Sequence, residues 1–171
     1  VWFEEPFDGH AYEAYAALAA RSPKVRLAGG EAAHNVAMAR HLMDYGKVGF
    51  VQIDCGRIGG IGPAKEVADL AVARGVQFVN HTFTSHLALS ASLQPFAGLA
   101  GHDIAEFPGL PKPVARAFVA TPVEREADGT VRAPDRPGLG VDVDLAAARD
   151  YLLDVEIAVG GRTLYRTPAV D

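Results

Sequence analysis

Residues 50–62 read FVQIDCGRIGGIG, and this stretch decides the class of fold. The apolar run Phe50–Asp54 ends in an acid, and four glycines follow within residues 56–62. A short apolar run that leads directly into a turn and a helical segment is typical of a strand in a parallel α/β sheet. The glycine-rich segment is either a cradle for a phosphate group or a tight turn beside a catalytic carboxylate.

The same alternation of short apolar runs and longer helical segments repeats along residues 1–107. This pattern predicts βα units around a parallel sheet, and hence an α/β fold of about five such units. The predicted strands are Val1–Glu4, Val25–Gly29, Phe50–Asp54, Gln77–His81 and Asp103–Phe107. The predicted helices are Tyr12–Ala20, Ala33–Tyr45, Pro63–Arg74 and Leu87–Leu99.

The chain changes character after residue 108. Six prolines lie between Pro108 and Pro137, and they interrupt any long helix or central strand. We therefore expect a loop-rich C-terminal part with few regular elements. The elements predicted there are a hairpin over residues 123–133 centred on Asp128-Gly129, a helix over Asp144–Leu153, and a hairpin of Val155–Val159 with Arg162–Arg166.

Composition excludes several classes of protein. With 171 residues, 49% of them hydrophobic and 22% charged, the chain has the profile of an ordinary globular protein. Its formal charge of −5 and the lack of a basic patch give no reason to expect nucleic acid or an anionic membrane as a partner. The single Cys55 cannot form an intrachain disulfide, and no apolar window is long enough to span a membrane, so we expect a cytoplasmic protein.

Ionisable side chains recur where the predicted strands end. In α/β proteins the loops at the carboxyl ends of parallel strands build the active site, so we expect these side chains to share one rim. Glu5 should point to the opposite face of its strand from Glu4. The rim residues are Glu4, Glu31, Asp54, His81 and Glu106, separated by steps of 27, 23, 27 and 25 residues.

Several carboxylates that face one cavity repel each other, and a divalent cation such as Mg²⁺ relieves this repulsion. Glu4 and Glu31 are therefore candidate metal ligands. Asp54 and His81 come from consecutive strands, and a carboxylate bonded to an imidazole raises the pKa of the imidazole, as expected of a general base. Glu106 could serve as an acid or hydrogen-bond donor.

The motifs at this rim resemble those of a known family, the enolase superfamily, in its mandelate racemase branch. The similarity is to the C-terminal barrel of that branch and covers residues 1–107, with a further match in D-R-P-G-L-G-V at 135–141. The motifs are W-F-E-E-P at 2–6, G-G-E at 29–31, Q-I-D-x4-G-G at 52–60 and N-H at 80–81.

The resemblance implies a partial TIM-type (β/α) barrel equivalent to strands 4–8, with residues 1–110 forming the barrel part and 111–171 a C-terminal extension. It implies that Glu4 and Glu31 are two of three Mg²⁺ ligands. Asp54 and His81 would be the catalytic dyad, and Glu106 would hydrogen-bond the developing enolate. The implied reaction is Mg²⁺-dependent abstraction of the proton α to a carboxylate through an enediolate, in an acid-sugar dehydratase or a hydroxy-acid racemase.

The resemblance also implies that part of the family's barrel is missing from this chain. It begins at what would be the fourth strand, and a complete barrel takes about 250 residues. We therefore expect a fragment of a longer enzyme or a truncated gene product, without the third metal ligand and an opposing base. The extension would pack on the barrel or toward a missing capping domain. The expected partners are a small carboxylate substrate and either a second copy of the chain or the missing N-terminal part.

Two alternatives remain open on the sequence. The chain could be an inactive remnant or an interaction module that pairs through an exposed sheet edge. It could also be a nucleotide- or phosphate-binding domain, although G-x-x-G-G-x-G at 56–62 departs from both common phosphate-binding patterns. His86, five residues after His81, is either a substrate contact or a helix cap, and Arg57 is either a substrate contact or solvated.

Overall fold

The computed structural model describes residues 1–22, 24–110, 112–147 and 149–169. Its centre is a four-stranded parallel sheet in which the strands lie in the order of the sequence. The strands are β1 (Phe3–Glu4), β2 (Leu27–Gly29), β3 (Phe50–Asp54) and β4 (Gln77–His81). The helices beside them are α1 (Tyr12–Arg21), α2 (Val36–Asp44), α3 (Cys55–Ile58), α4 (Ile61–Arg74) and α5 (His86–Leu93). This sequential βα order is the arrangement of a partial barrel, as the sequence predicts.

The two faces of β3 serve different layers of the fold. Val51 and Ile53 are buried against the helices in the main core. Phe50 packs on the other face, against Trp2 and Val79. Successive side chains of a strand alternate between faces, so Gln52 and Asp54 share the face of Phe50. That face is the interior of the partial barrel, and each large apolar side chain fully buried in either layer contributes about 1.5–3 kcal/mol.

Local signals in the sequence fix the helix ends. The Asn35 side chain accepts a hydrogen bond from the Met38 N–H at the start of α2. Gly75 ends α4 in the left-handed conformation, with φ of 66°, which a glycine adopts without steric cost. α2 and α4 then bury small and medium apolar side chains, so that the helices lie close to the sheet. These side chains are Ala39, Leu42, Met43, Ala64, Val67, Ala68 and Ala71.

The predicted fifth strand is wrong. Residues 103–107 have no strand conformation, although they run beside β4. Side chains replace the backbone ladder there: the Phe78 N–H donates to His102 Nδ1 at 3.0 Å. The Asn80 amide donates to the Glu106 carbonyl at 3.1 Å and accepts from the Glu106 N–H at 2.9 Å. The buried Asn80 side chain therefore lies between the backbone of β4 and that of residues 103–107, and it hydrogen-bonds both the N–H and the carbonyl group of Glu106.

The part after residue 110 is largely irregular. A short helix, α6 (Pro113–Ala117), is followed by isolated bridges between Val119 and Val143 and between Arg125 and Val131. The hairpin predicted over 123–133 forms only in part, as this second bridge and a turn in which the Glu126 N–H donates to the Thr130 carbonyl at 2.8 Å. Val123 packs with Leu89 and Leu93 of α5, so this part contacts the barrel portion. A division of the chain into domains near residue 110 remains a proposal.

The last elements are a turn and a hairpin. The predicted helix over Asp144–Leu153 is wrong: apart from residue 148, which lies outside the described residues, this segment forms turns and a single 3-10 turn at Arg149–Tyr151. Its apolar side chains remain exposed, 75% in the case of Leu153, so no buried face stabilises a helix. The predicted second hairpin is confirmed as β5 (Glu156–Val159) and β6 (Arg162–Arg166). None of the described helices is long and apolar enough to cross a membrane.

Replacement of Asn80 tests the role of its amide. We expect Asn80→Ala to lower the free energy of unfolding by about 3 kcal/mol, because it leaves buried backbone groups of Glu106 unpaired. Asn35→Ala, which removes only a helix cap, should cost about 1 kcal/mol. Urea unfolding of the chain measures both changes, and equal losses would contradict this account.

Candidate active site

The register of β3 and β4 places Asp54 directly opposite His81. Both residues are the last of their strands and lie on the interior face of the partial barrel. His81 Nδ1 is 2.8 Å from Asp54 Oδ2, a normal hydrogen-bond distance. The two side chains are largely buried, with side-chain exposures of 9% and 13%. The dyad predicted from the sequence is therefore formed.

Asp54 also organises the glycine-rich segment. Its Oδ1 accepts hydrogen bonds from the Gly56 N–H at 2.7 Å and the Arg57 N–H at 3.3 Å, which caps α3. Gly59 and Gly60, with φ of 107° and 115°, then turn the chain into α4. A phosphate group would need the N–H groups that Asp54 already occupies. This arrangement favours a tight βα turn and argues against a phosphate cradle.

The dyad shifts the pKa of each partner toward its charged form. The hydrogen bond that His81 donates to Asp54 raises the pKa of His81 above its ordinary value, despite burial, and the charges of Glu31 and Glu106 add to this effect. Burial alone would raise the pKa of Asp54, but hydrogen bonds from His81 and the Gly56 N–H outweigh it, so that pKa is lowered. The His81 contribution to stability is fully present below pH 6.5 and is lost as the pH rises through the folded pKa. The Asp54 contribution is present above pH 3.8 and is lost as the pH falls through its lowered folded pKa.

Glu31 joins the same cluster from the loop after β2. Its Oε2 lies 3.2 Å from His81 Nε2, and its Oε1 lies 2.8 Å from Arg57 Nη1. Arg57 also donates to the Glu31 carbonyl at 3.2 Å. The hydrogen bond to Glu31 raises the pKa of the Arg57 guanidinium, despite partial desolvation. Arg57 therefore contacts a predicted metal ligand, a role that the sequence did not reveal.

The two neighbouring acids at the end of β1 differ. Glu4 Oε2 accepts a hydrogen bond from Trp2 Nε1 at 2.8 Å. Glu5 has a left-handed backbone, with φ of 37°, and its carboxylate lies 3.4 Å from the Gly30 N–H. Burial raises the pKa of Glu5, and that N–H opposes the rise. Among the described residues, no group of three or more His, Cys, Asp or Glu side chains is arranged to hold a metal ion.

Glu106 is held by a residue that the sequence did not reveal as its partner. Gln52 Nε2 donates to Glu106 Oε1 at 2.6 Å. Burial raises the pKa of Glu106, and this outweighs the opposing effects of Gln52 and His81. Gln52 Oε1 and Glu106 Oε2 are buried without a hydrogen-bond partner among the described residues. The position of Gln52, two residues before Asp54 on the same strand, was the signal that could have revealed it.

Comparison with known proteins agrees with this geometry. A family model described as enolase C-terminal domain-like matches residues 1–148. The chain belongs to this enolase C-terminal domain-like family. A solved structure described as a predicted mandelate racemase from Rhodobacter sphaeroides is 60% identical, with a TM-score of 0.91 over 98% of this chain. The family similarity inferred from the rim motifs, and the partial-barrel fold, are thus confirmed.

Curated relatives in the enolase superfamily include sugar-acid enzymes. A D-galactarolactone cycloisomerase from Agrobacterium fabrum is 30% identical over 88% of this chain and 41% of its own length. An L-talarate/galactarate dehydratase from Salmonella typhimurium is 35% identical over 56% of this chain and 25% of its own length. The chain also covers only 43% of the Rhodobacter sphaeroides protein, so it spans less than half the length of these relatives.

Replacement of Asp54 tests the electrostatics of the dyad. Asp54→Asn keeps an oxygen that can cap α3 but removes the charge beside the imidazolium, so we expect the pKa of His81 to fall. An NMR titration of the His81 ring in metal-free protein measures this shift. Asp69→Asn, at an exposed acid on α4 that pairs with Lys65, is the control and should leave the pKa of His81 unchanged. An unchanged pKa in Asp54→Asn would contradict the assignment.

Proposed function

We propose that this chain carries the proton-abstraction site of a Mg²⁺-dependent enzyme that acts on the carbon α to a carboxylate. The observation that carries the proposal is the His81 imidazole, held between Asp54 and Glu31 on the barrel interior. A general base needs a fixed position and a suitable pKa; the Asp54 hydrogen bond fixes the ring and raises the pKa of His81. The sugar-acid enzymes among the relatives support a substrate of the acid-sugar class.

In this proposal His81 Nε2 removes the α-proton, while Nδ1 keeps its hydrogen bond to Asp54. Asp54 stabilises the imidazolium that results, and its bonds to the Gly56 and Arg57 N–H groups hold the carboxylate in place. A positioned base of this kind accelerates proton transfer by roughly 10²–10⁴-fold. Asp54 is thus a positioning residue, and His81 is the catalytic base.

Glu106 stabilises the product of this step. Its raised pKa favours a neutral carboxyl group, and a neutral carboxyl can donate a hydrogen bond to an enediolate oxygen. Gln52 Nε2 occupies Glu106 Oε1, which leaves Oε2 as the oxygen that carries the proton. Oε2 lacks a partner among the described residues and therefore has a hydrogen bond to offer.

The donor atoms of Glu4 and Glu31 suit Mg²⁺, which prefers carboxylate oxygens. In this structure Glu31 Oε1 forms an ion pair with the Arg57 guanidinium, so this carboxylate already faces a positive charge. A bound Mg²⁺ would neutralise the substrate carboxylate and the negative charge that develops on it. We propose that a third ligand comes from outside the described residues, since they contain no group of three.

Acid-sugar dehydration and racemisation share this first step. In a dehydratase the β-hydroxyl group then leaves as water after it receives a proton, whereas in a racemase the α-carbon is reprotonated from the opposite face. The dehydratase among the relatives favours elimination chemistry on acid sugars. The Rhodobacter sphaeroides protein, described as a predicted mandelate racemase, favours the second outcome. We place either reaction in the cytoplasm. For either reaction, the exposed edge of β1 would pair with further barrel strands or with a second copy of the chain.

Exchange of the α-proton tests the proposal directly. In D₂O with Mg²⁺ and galactarate, the full-length protein should incorporate deuterium at the α-carbon, as measured by NMR of the acid. We expect His81→Asn to slow this exchange by roughly 10²–10⁴-fold. Removal of Mg²⁺ by EDTA should abolish it.

The matched control is His34→Asn, which changes an exposed histidine and should leave the exchange rate unaltered. If neither the unchanged protein nor its variants exchange the proton of any acid in a sugar-acid panel, an inactive remnant becomes the better account.

A further inference from the structure

A cavity lies beside the rim, between the loop after β4 and the segment that follows residue 107. Its volume is about 220 Å³, enough for about seven water molecules at roughly 30 Å³ each, or one small organic acid. We call it the His86 pocket. Its lining includes Phe83, Ser85, His86, Phe107, Arg116 and Arg125.

His86 is the most informative side chain of this pocket. It is only 5% exposed, so it is neither a surface residue nor a solvated helix cap. Its Nδ1 accepts a hydrogen bond from the Val123 N–H at 3.1 Å, which places the proton of the neutral ring on Nε2. Nε2 is buried and has no hydrogen-bond partner among the described residues. A buried N–H donor without an acceptor among the described residues therefore lies in a side chain that lines the pocket.

Burial keeps this histidine neutral. Desolvation lowers the pKa of His86, and the positive charge of Arg116 lowers it further. The ring consequently remains a neutral donor through its Nε2–H. An unpaired buried donor costs about 1–3 kcal/mol, and a ligand with an acceptor atom recovers that cost.

The charges around the pocket favour an anion. Arg116 pairs with Glu124, through Nη2 and Oε1 at 2.6 Å, but a guanidinium has five N–H donors and one carboxylate oxygen does not saturate it. Arg125 adds a second guanidinium, and no side-chain hydrogen bond engages it among the described residues. The lining thus has two cationic groups against one carboxylate. Arginine recognises carboxylates with paired, parallel hydrogen bonds.

We propose that the His86 pocket binds a carboxylate group, with His86 Nε2–H and the Arg125 guanidinium as its donors. The apolar side chains of Phe83, Leu89 and Phe107 would enclose the carbon chain. Phe83 also contacts the dyad, because its ring centroid lies 5.1 Å from that of His81. The pocket therefore adjoins the proposed reaction site.

The carboxylate has two possible sources. It belongs either to the far end of a six-carbon diacid whose near end lies at the rim, or to a separate small acid. Only the first source rests on the proposed function.

Both sources can be tested by NMR on full-length protein with ¹⁵N-labelled histidine. Acetate and galactarate are titrated separately, at constant ionic strength, while the Nε2 signals of His81 and His86 are followed. We expect both acids to shift the His86 signal. If one diacid spans both sites, His81→Asn weakens the binding of galactarate but not that of acetate. If the pocket takes a separate acid, His81→Asn weakens the binding of neither acid.

Two variants test the donors. His86→Asn retains an acceptor for the Val123 N–H but lacks Nε2, and Arg125→Gln removes one guanidinium. We expect each variant to weaken the binding of both acids by roughly tenfold, in line with the loss of one hydrogen bond to a charged group. Arg132→Gln, at an exposed arginine outside the pocket, is the control and should change nothing.

The proposal is overturned if saturating acid leaves the His86 signal unmoved, or if both variants bind the acids as well as the unchanged protein. A failure of the proposed function alone gives a different result: the α-proton does not exchange, while acetate still shifts the His86 signal.

Discussion

The hydrogen bond between His81 and Asp54 is the interaction on which the rest of this site depends. It exists because β3 and β4 pair in a register that sets the last residue of one strand opposite the last residue of the other. A slip of β4 by one residue would turn His81 to the helical face of the sheet, away from Asp54. The same carboxylate caps α3 and raises the pKa of the imidazole that Glu31 contacts. Backbone pairing thus determines the electrostatics of the rim.

The parts of the fold that the sequence predicted are those with strong local signals. β3 and β4 begin and end at the predicted residues because each is an apolar run closed by a glycine turn or a polar loop. The dyad followed from the same signals, since consecutive parallel strands bring their carboxyl ends to one edge. Glu31 reached the dyad for the same reason.

The features that the sequence did not predict depend on side chains that reach across the fold. The Asn80 amide takes the place of a backbone ladder beside β4. A hydrophobic pattern does not reveal such a side-chain bond, and Asp103–Phe107 was therefore predicted to be a strand. Arg57 contacts Glu31 from another βα loop, 26 residues away. Gln52 was missed as the partner of Glu106 because the two residues lie 54 positions apart in the sequence. Long polar side chains are placed by tertiary packing, which spacing does not reveal.

The tautomer of His81 tests the central claim most directly. If Asp54 orients this imidazole, the neutral ring must carry its proton on Nδ1, and Nε2 must be free to act as the base. The ¹⁵N shifts of His81 in metal-free protein, recorded well above its raised pKa, distinguish the two tautomers. We predict a protonated Nδ1 with an unprotonated Nε2. A proton on Nε2 would show that Glu31, and not Asp54, controls the ring, and would contradict the account.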